Sequence, residues 1–218
     1  MTTPYYQDDA VTIYHGDCRE IMPELNFDVI VTDPPYGIGW SRGANPARSS
    51  AAHAGIMPDL DFDVIVSDPP YGMAHVAGGG RPSRPIAGDH DTTARDTALS
   101  LSRGCPALVF GRWNLPIPAG ANTCLTWDKG DWPGTGDLNE PWGLSTENIY
   151  VIGKGFIGRR SGTVLHHNRI TSSPHPMEKP LTLMASLILK CPPGVILDPF
   201  MGSGTTLRAA KDLGRKAI

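Results

Sequence analysis

No stretch of this sequence stays apolar long enough to cross a membrane as a helix, and none resembles a signal peptide. The expectation is a soluble, cytoplasmic protein with no membrane partner. Cysteine is scarce: Cys18, Cys105, Cys124 and Cys191 are scattered, with no Cys-x-x-Cys pair. That pattern excludes a disulfide framework and points to reduced, partly buried thiols. Seven histidines include the pair His166 and His167, but neighbours on a strand face opposite ways, so no metal site is legible. Charge of one sign is also lacking. A net −3 argues against a grip on nucleic acid by overall charge, which leaves local distribution to matter. With 40% hydrophobic content, 218 residues suffice for one well-buried α/β domain, and no interval is large enough for an obvious second one.

What is present is a tetrapeptide that occurs twice. Asp33-Pro34-Pro35-Tyr36 and Asp68-Pro69-Pro70-Tyr71 each follow an apolar β-branched run ending in Val29-Ile30-Val31-Thr32 or Val64-Ile65-Val66-Ser67. Proline continues neither a ladder nor a helix, so the chain leaves the sheet rigidly with an acid at the strand tip. Such a loop offers a carboxylate, a backbone carbonyl and an aromatic face. These suit a flat heterocycle with an exocyclic amine: two acceptors for two N–H bonds and a ring for stacking. A strand ending in a plain Pro-Pro turn is the bland alternative.

A second motif lies near the end, Asp198-Pro199-Phe200-Met201-Gly202-Ser203-Gly204-Thr205-Thr206, after Val195-Ile196-Leu197 and before Leu207, Ala209, Ala210 and Leu213 at helical spacing. It reads as strand, glycine turn and helix, with Gly214 as the stop. The glycines allow close backbone approach and the helix start offers free N–H groups. The longer dinucleotide fingerprint is missing, as is the lysine of a phosphate-binding loop. Upstream, His175-Pro176-Met177-Glu178-Lys179-Pro180 leads into an amphipathic helix carrying Leu181, Met184, Leu187 and Ile188.

Together the motifs resemble those of the β-class DNA amino-methyltransferases, and the resemblance runs over nearly the whole chain. It implies a doubly wound, mostly parallel Rossmann-like sheet. The sheet would be circularly permuted, because the catalytic loop comes first and the cofactor loop last. It implies the cofactor S-adenosyl-L-methionine (AdoMet), with Asp198, Pro199, Phe200, Gly202, Ser203, Gly204 and Thr205 in its loop. His175 and Lys179 would lie at its methionine end and Asp17 near its adenosine, although Asp17 also suits a plain helix cap. It implies methylation of the exocyclic amine of a flipped DNA base, with the Asp-Pro-Pro-Tyr residues in the catalytic role. Adenine N6 is favoured because cytosine enzymes more often begin this motif with Ser; N4-cytosine is the alternative. The resemblance is to proteins of bacteria and phages and leaves room for a restriction endonuclease partner. Oligomeric state is not legible. Rival readings are a degenerate nucleic-acid-binding remnant and a methyltransferase acting on RNA or protein.

Two departures from the family pattern stand out. Residues 22–38 match 57–73 at a constant offset of 35, a tandem duplication of the catalytic strand and loop. One sheet has one slot beside the cofactor strand. The expectation leans slightly to the second copy, because most of the sheet follows it without interruption. The second departure is that the sequence stops where a family strand usually ends in an acid for the ribose, so the fold is expected to be C-terminally truncated.

Residues 151–177 contain no acid but carry Lys154, Arg159, Arg160 and Arg169, and are expected to contact DNA phosphates. Smaller acid-free loops carry Arg42 with Arg48, and Arg81 with Arg84. Strands are expected at 11–15, 107–110, 124–127 and 148–152, and helices at 18–25 and 91–102, alternating as in a parallel sheet.

Overall fold

The computed structural model describes residues 2–34, 91–131, 141–170 and 178–218. The second copy at 57–73 therefore lies outside the described residues, as do Pro35, Tyr36 and His175.

Among the described residues, eight strands and four α-helices follow one another as β1 (Tyr6–Gln7), β2 (Thr12–Ile13), α1 (Cys18–Ile21), β3 (Val29–Thr32), α2 (Thr93–Ser100), β4 (Ala107–Gly111), β5 (Ala121–Asp128), β6 (Thr146–Ile152), β7 (Val164–His166), α3 (Leu181–Ile188), β8 (Ile196–Leu197) and α4 (Thr205–Asp212). Six strands form one sheet in the order β7-β5-β6-β4-β3-β8, and β1 pairs with β2 separately. Only β6 runs against the others in the six-stranded sheet, which is therefore mixed but mostly parallel. Ala217 adds a further bridge, parallel to both Val11 and Ile196.

The sheet is covered on both faces, as the sequence leads one to expect of a doubly wound fold. Val29 and Val31 of β3 pack with Leu183, Leu187, Leu207 and Ala210 of α3 and α4. Ile30, between them, points the other way and packs with Ile21, Met22 and Ala98 beside α1 and α2. A strand buried on both faces reads as a continuous β-branched run, which is why no polar residue interrupts Val29-Ile30-Val31. Each of these side chains is completely buried, worth roughly 1.5–3 kcal/mol apiece in apolar transfer.

The slot beside the glycine-loop strand belongs to the first copy. Val29 pairs with Ile196 and Ile30 with Leu197, in parallel register. The lean towards the second copy is corrected at this point. The uninterrupted sequence after the second copy was a poor guide, because a parallel strand needs only a crossover of sufficient length and tolerates a long insertion.

Smaller departures have local causes. The helix expected over 18–25 stops at Ile21 and tightens into a 3-10 turn at Met22–Glu24, where Pro23 removes an N–H. Two short strands, β1 and β7, escape sequence reading because two or three residues carry no usable period. The four cysteines are free thiols, and burial pushes Cys18 up to about 11 and Cys191 up to about 12. Among the described residues, no helix is long and apolar enough to cross a membrane.

Candidate active site

In a mostly parallel sheet the carboxyl ends of the strands share one edge, and the candidate site residues Asp33 and Asp198 gather there. At that edge β3 delivers Thr32 and Asp33, and β8 delivers Asp198. The register of β3 on β8 brings Thr32 against Asp198, and the Thr32 hydroxyl donates to Asp198 Oδ1 at 2.7 Å. The Phe200 N–H donates to the same oxygen at 3.1 Å, turning the chain into the glycine loop. One pocket is lined by Asp33, Lys179, Met184, Asp198 and Phe200, together with Met201, Gly202, Ser203, Thr205 and Thr206 of the glycine loop. Two motifs far apart in sequence thus form a single site.

The glycine loop depends on backbone conformation. Gly202 has φ 55° and Gly204 φ 81°, left-handed values that cost other residues about 1–3 kcal/mol. At Gly204 an added Cβ would meet nothing closer than Met201 at 3.9 Å, so its requirement within the chain is conformational and not one of clearance. Gly204 caps α4, and the Ser203 and Thr205 hydroxyls lie 2.9 Å apart beside it.

Asp198 is buried among these groups. Desolvation pushes its carboxyl up to about 6, against the hydrogen bonds from Thr32, Thr206 and Phe200, with a smaller contribution from the nearby Asp33 charge. Asp33 is held differently. Lys179 Nζ donates to its Oδ2 at 2.6 Å, and the same ammonium lies 3.2 Å from Glu147 Oε1 and 5.1 Å above the Phe110 ring. Glu147 Oε2 in turn lies 2.9 Å from Lys129 Nζ. Glu147 and Lys129 were not singled out in the sequence. The available signal was an acid two residues before Ile149, which places Glu147 on the buried face of β6.

The remaining expected site residues divide. Pro34 is buried directly after Asp33, and Pro199 is half-buried between Asp198 and Phe200. Asp17 is the N-cap of α1: it accepts from the Arg19 N–H at 2.9 Å and pairs with the Arg19 guanidinium, which holds its carboxyl below the usual range. Asp68, Pro69, Pro70, Tyr71, Pro35, Tyr36 and His175 lie outside the described residues.

The four cations of the acid-free segment are not brought together. Ile152 ends β6 opposite Ala107, the first residue of β4, so Lys154 emerges at the sheet edge away from Asp33. The Arg159 carbonyl accepts from Lys190 at 2.7 Å, beyond the far end of α3. Arg169 follows β7, whose His166 pairs with Asp128 at the edge that carries Asp33. The expectation that all four border the substrate side is therefore corrected for Lys154 and Arg159. It had not allowed for β6 running antiparallel and sending its loop to the opposite edge.

Residues 127–218 match the family model described as DNA methylase. The type II methyltransferase M.ScaI of Streptomyces caespitosus is 26% identical over 99% of this chain and 78% of its own length. M.HindIII of Haemophilus influenzae is 46% identical, over only 27% of this chain and 22% of that protein. Among solved structures, the cytosine-N4-specific PvuII DNA methyltransferase superposes with a TM-score of 0.61 at 13% identity, covering 100% of this chain and 83% of that one. M1.HpyAVI, solved as a complex with SAM, gives 0.54 at 19% identity, covering 95% and 92%. At such identities the structural likeness is one of fold. The structural likeness shows a Rossmann-like fold of the kind found in DNA methyltransferases. These matches support an amino-methyltransferase of the kind that family model describes, and they do not separate N6-adenine from N4-cytosine enzymes.

Asp198 generates a pH prediction. Its carboxyl titrates near 6 when folded and near its ordinary 3.8 when unfolded, so the folded state holds the proton more tightly. The cost of burying the charge is absent below both values, grows between them and is complete above about 6. Asp198→Asn keeps an Oδ1 acceptor for Thr32 and Phe200 but carries no charge. Chemical denaturation should show the wild type losing about 3 kcal/mol relative to this variant between pH 3.5 and 7.5. Parallel stability curves would show that Asp198 is not held in this way.

Proposed function

We propose that this chain binds AdoMet and transfers its methyl group to the exocyclic amine of a DNA base, most simply N6 of adenine. The observation that carries the reading is the shared pocket of Asp33 and the glycine loop. Its residues suit the methionine end of AdoMet, which bears an ammonium, a carboxylate and a sulfonium. The acids Asp33 and Asp198, the Lys179 ammonium and the open start of α4 offer partners of both signs. When bound, AdoMet supplies an electrophilic methyl group on a positively charged sulfur.

The residues of the chain then have separable tasks. Asp33 accepts one N–H of the amine and the Pro34 carbonyl accepts the other, which fixes the nitrogen lone pair towards the pocket. As the nitrogen becomes positive, the Asp33 carboxylate stabilises it more strongly than it stabilised the neutral amine, so the gain falls on the transition state. Pro34 and Pro35 keep these acceptors rigid, and Tyr36 stacks on the base. The base has to leave the duplex to reach such a pocket. Adenine is preferred because Asp begins the motif. Arg169, at the same edge, is positioned for a DNA phosphate, whereas Arg159 is not.

Tritiated-methyl transfer to DNA tests the assignment of copies. Asp33→Ala should lower the rate by about 100-fold or more, in line with the loss of one transition-state hydrogen-bond partner. Asp68→Ala should retain most activity, since the strand of the first copy fills the slot. An inactive Asp68→Ala beside an active Asp33→Ala would reverse the assignment.

DNA binding measured against salt tests the second half. Arg169→Ala should reduce the log-log slope by about 0.9, the value for one lost phosphate contact. Arg159→Ala should leave the slope unchanged. The opposite pattern would place the DNA at the other edge of the sheet.

A further inference from the structure

We propose that Glu147 is a positioning residue for methyl transfer, setting the place and the effective charge of Asp33 through Lys179. The proposal rests on the reading of Asp33 as the acceptor for the amine. Four charges of alternating sign form a row, Lys129, Glu147, Lys179 and Asp33, with contacts of 2.9, 3.2 and 2.6 Å. They come from separate parts of the fold: the end of β5, the start of β6, the lead-in to α3 and the end of β3. Only 1% of the Glu147 side chain and 7% of the Lys179 side chain are exposed.

Burying such ions costs several kcal/mol apiece, so the row is poorly explained as a source of stability. It is better explained by what it does to Asp33. Lys179 already lies closer to Asp33, at 2.6 Å, than to Glu147, at 3.2 Å, and without Glu147 the ammonium would settle more fully on Asp33. Much of the negative charge needed by a developing ammonium on the substrate would then be cancelled. Glu147 divides the attention of Lys179: its Oε1 draws one side of the ammonium while Asp33 Oδ2 takes the other. Phe110 beneath Lys179 and Lys129 behind Glu147 fix the two ends of that arrangement. Asp33 is thereby oriented but keeps charge for the reaction.

Among the described residues, the charged groups facing Asp33 include Lys179 ahead of α3, Glu147 of β6, Lys129 after β5 and Asp198 after β8. Glu147→Gln preserves shape and removes one negative charge from this set. Lys179 should then pair more tightly with Asp33. Single-turnover methyl transfer at saturating AdoMet and DNA should slow by about tenfold, while AdoMet affinity by calorimetry changes by less than about threefold. In a Lys179→Met background the same substitution should change the rate by less than about twofold, because the link has already been cut. An equal loss in both backgrounds, or an unchanged rate in Glu147→Gln alone, would overturn the proposal.

A carboxyl carbon-13 titration provides a readout that needs no activity. The Asp33 midpoint should move down in Glu147→Gln and up in Lys179→Met relative to the wild type. An unmoved midpoint in Glu147→Gln would sink the proposal even in an active enzyme. Moved midpoints in a wild type that transfers no methyl group would keep the link and reject the function.

Discussion

The pairing of β3 with β8 is the constraint on which the site depends. Val29 on Ile196 and Ile30 on Leu197 are contacts between segments more than 160 residues apart, and the parallel register leaves little freedom at the strand tips. Two residues beyond the pair on β3 stands Thr32, one residue beyond it on β8 stands Asp198, and their hydrogen bond ties the two loops together. A slip of one residue would turn Ile30 to the wrong face and carry Asp33 away from the pocket. The apolar run that fills the core and the acid proposed as the acceptor for the amine are thus parts of one short segment.

Placing two carboxyl groups in a partly dry pocket creates an electrostatic problem, and the structure meets it in two ways. Asp198 is buried among hydroxyl and amide donors, and that burial raises its affinity for a proton. Asp33 has Lys179, and Lys179 has Glu147. A cationic methyl donor suits such a site, since it brings positive charge next to a carboxyl that would otherwise hold a proton.

Much of this was legible in the sequence because it is written in local motifs. The glycine turn after Val195-Ile196-Leu197, the stop at Gly214 and the amphipathic face of Leu183, Met184 and Leu187 depend on residues close in the chain. Asp17 shows the limit of motif reading: the chain uses it as a helix cap, a role its position equally suggested. What the sequence concealed depends on direction and on distant pairing. The antiparallel course of β6 sends Lys154 and Arg159 to the far edge, and no feature of their own spacing announces it. Glu147 was hidden because its partners, Lys129 and Lys179, are brought to it by two other elements, β5 and α3. Between two nearly identical strands, sequence offered no physical ground for choosing the one that pairs with Ile196 and Leu197.

The central claim is that the pocket between Asp33 and the glycine loop methylates a base. Mass spectrometry of nucleosides, from unmethylated DNA incubated with the purified chain and AdoMet, tests it most directly. The account predicts 6-methyladenine above the level of a control without protein. A product of 4-methylcytosine would keep the chemistry and change the base. DNA without either modification, from a folded protein shown by calorimetry to bind AdoMet, would contradict the account.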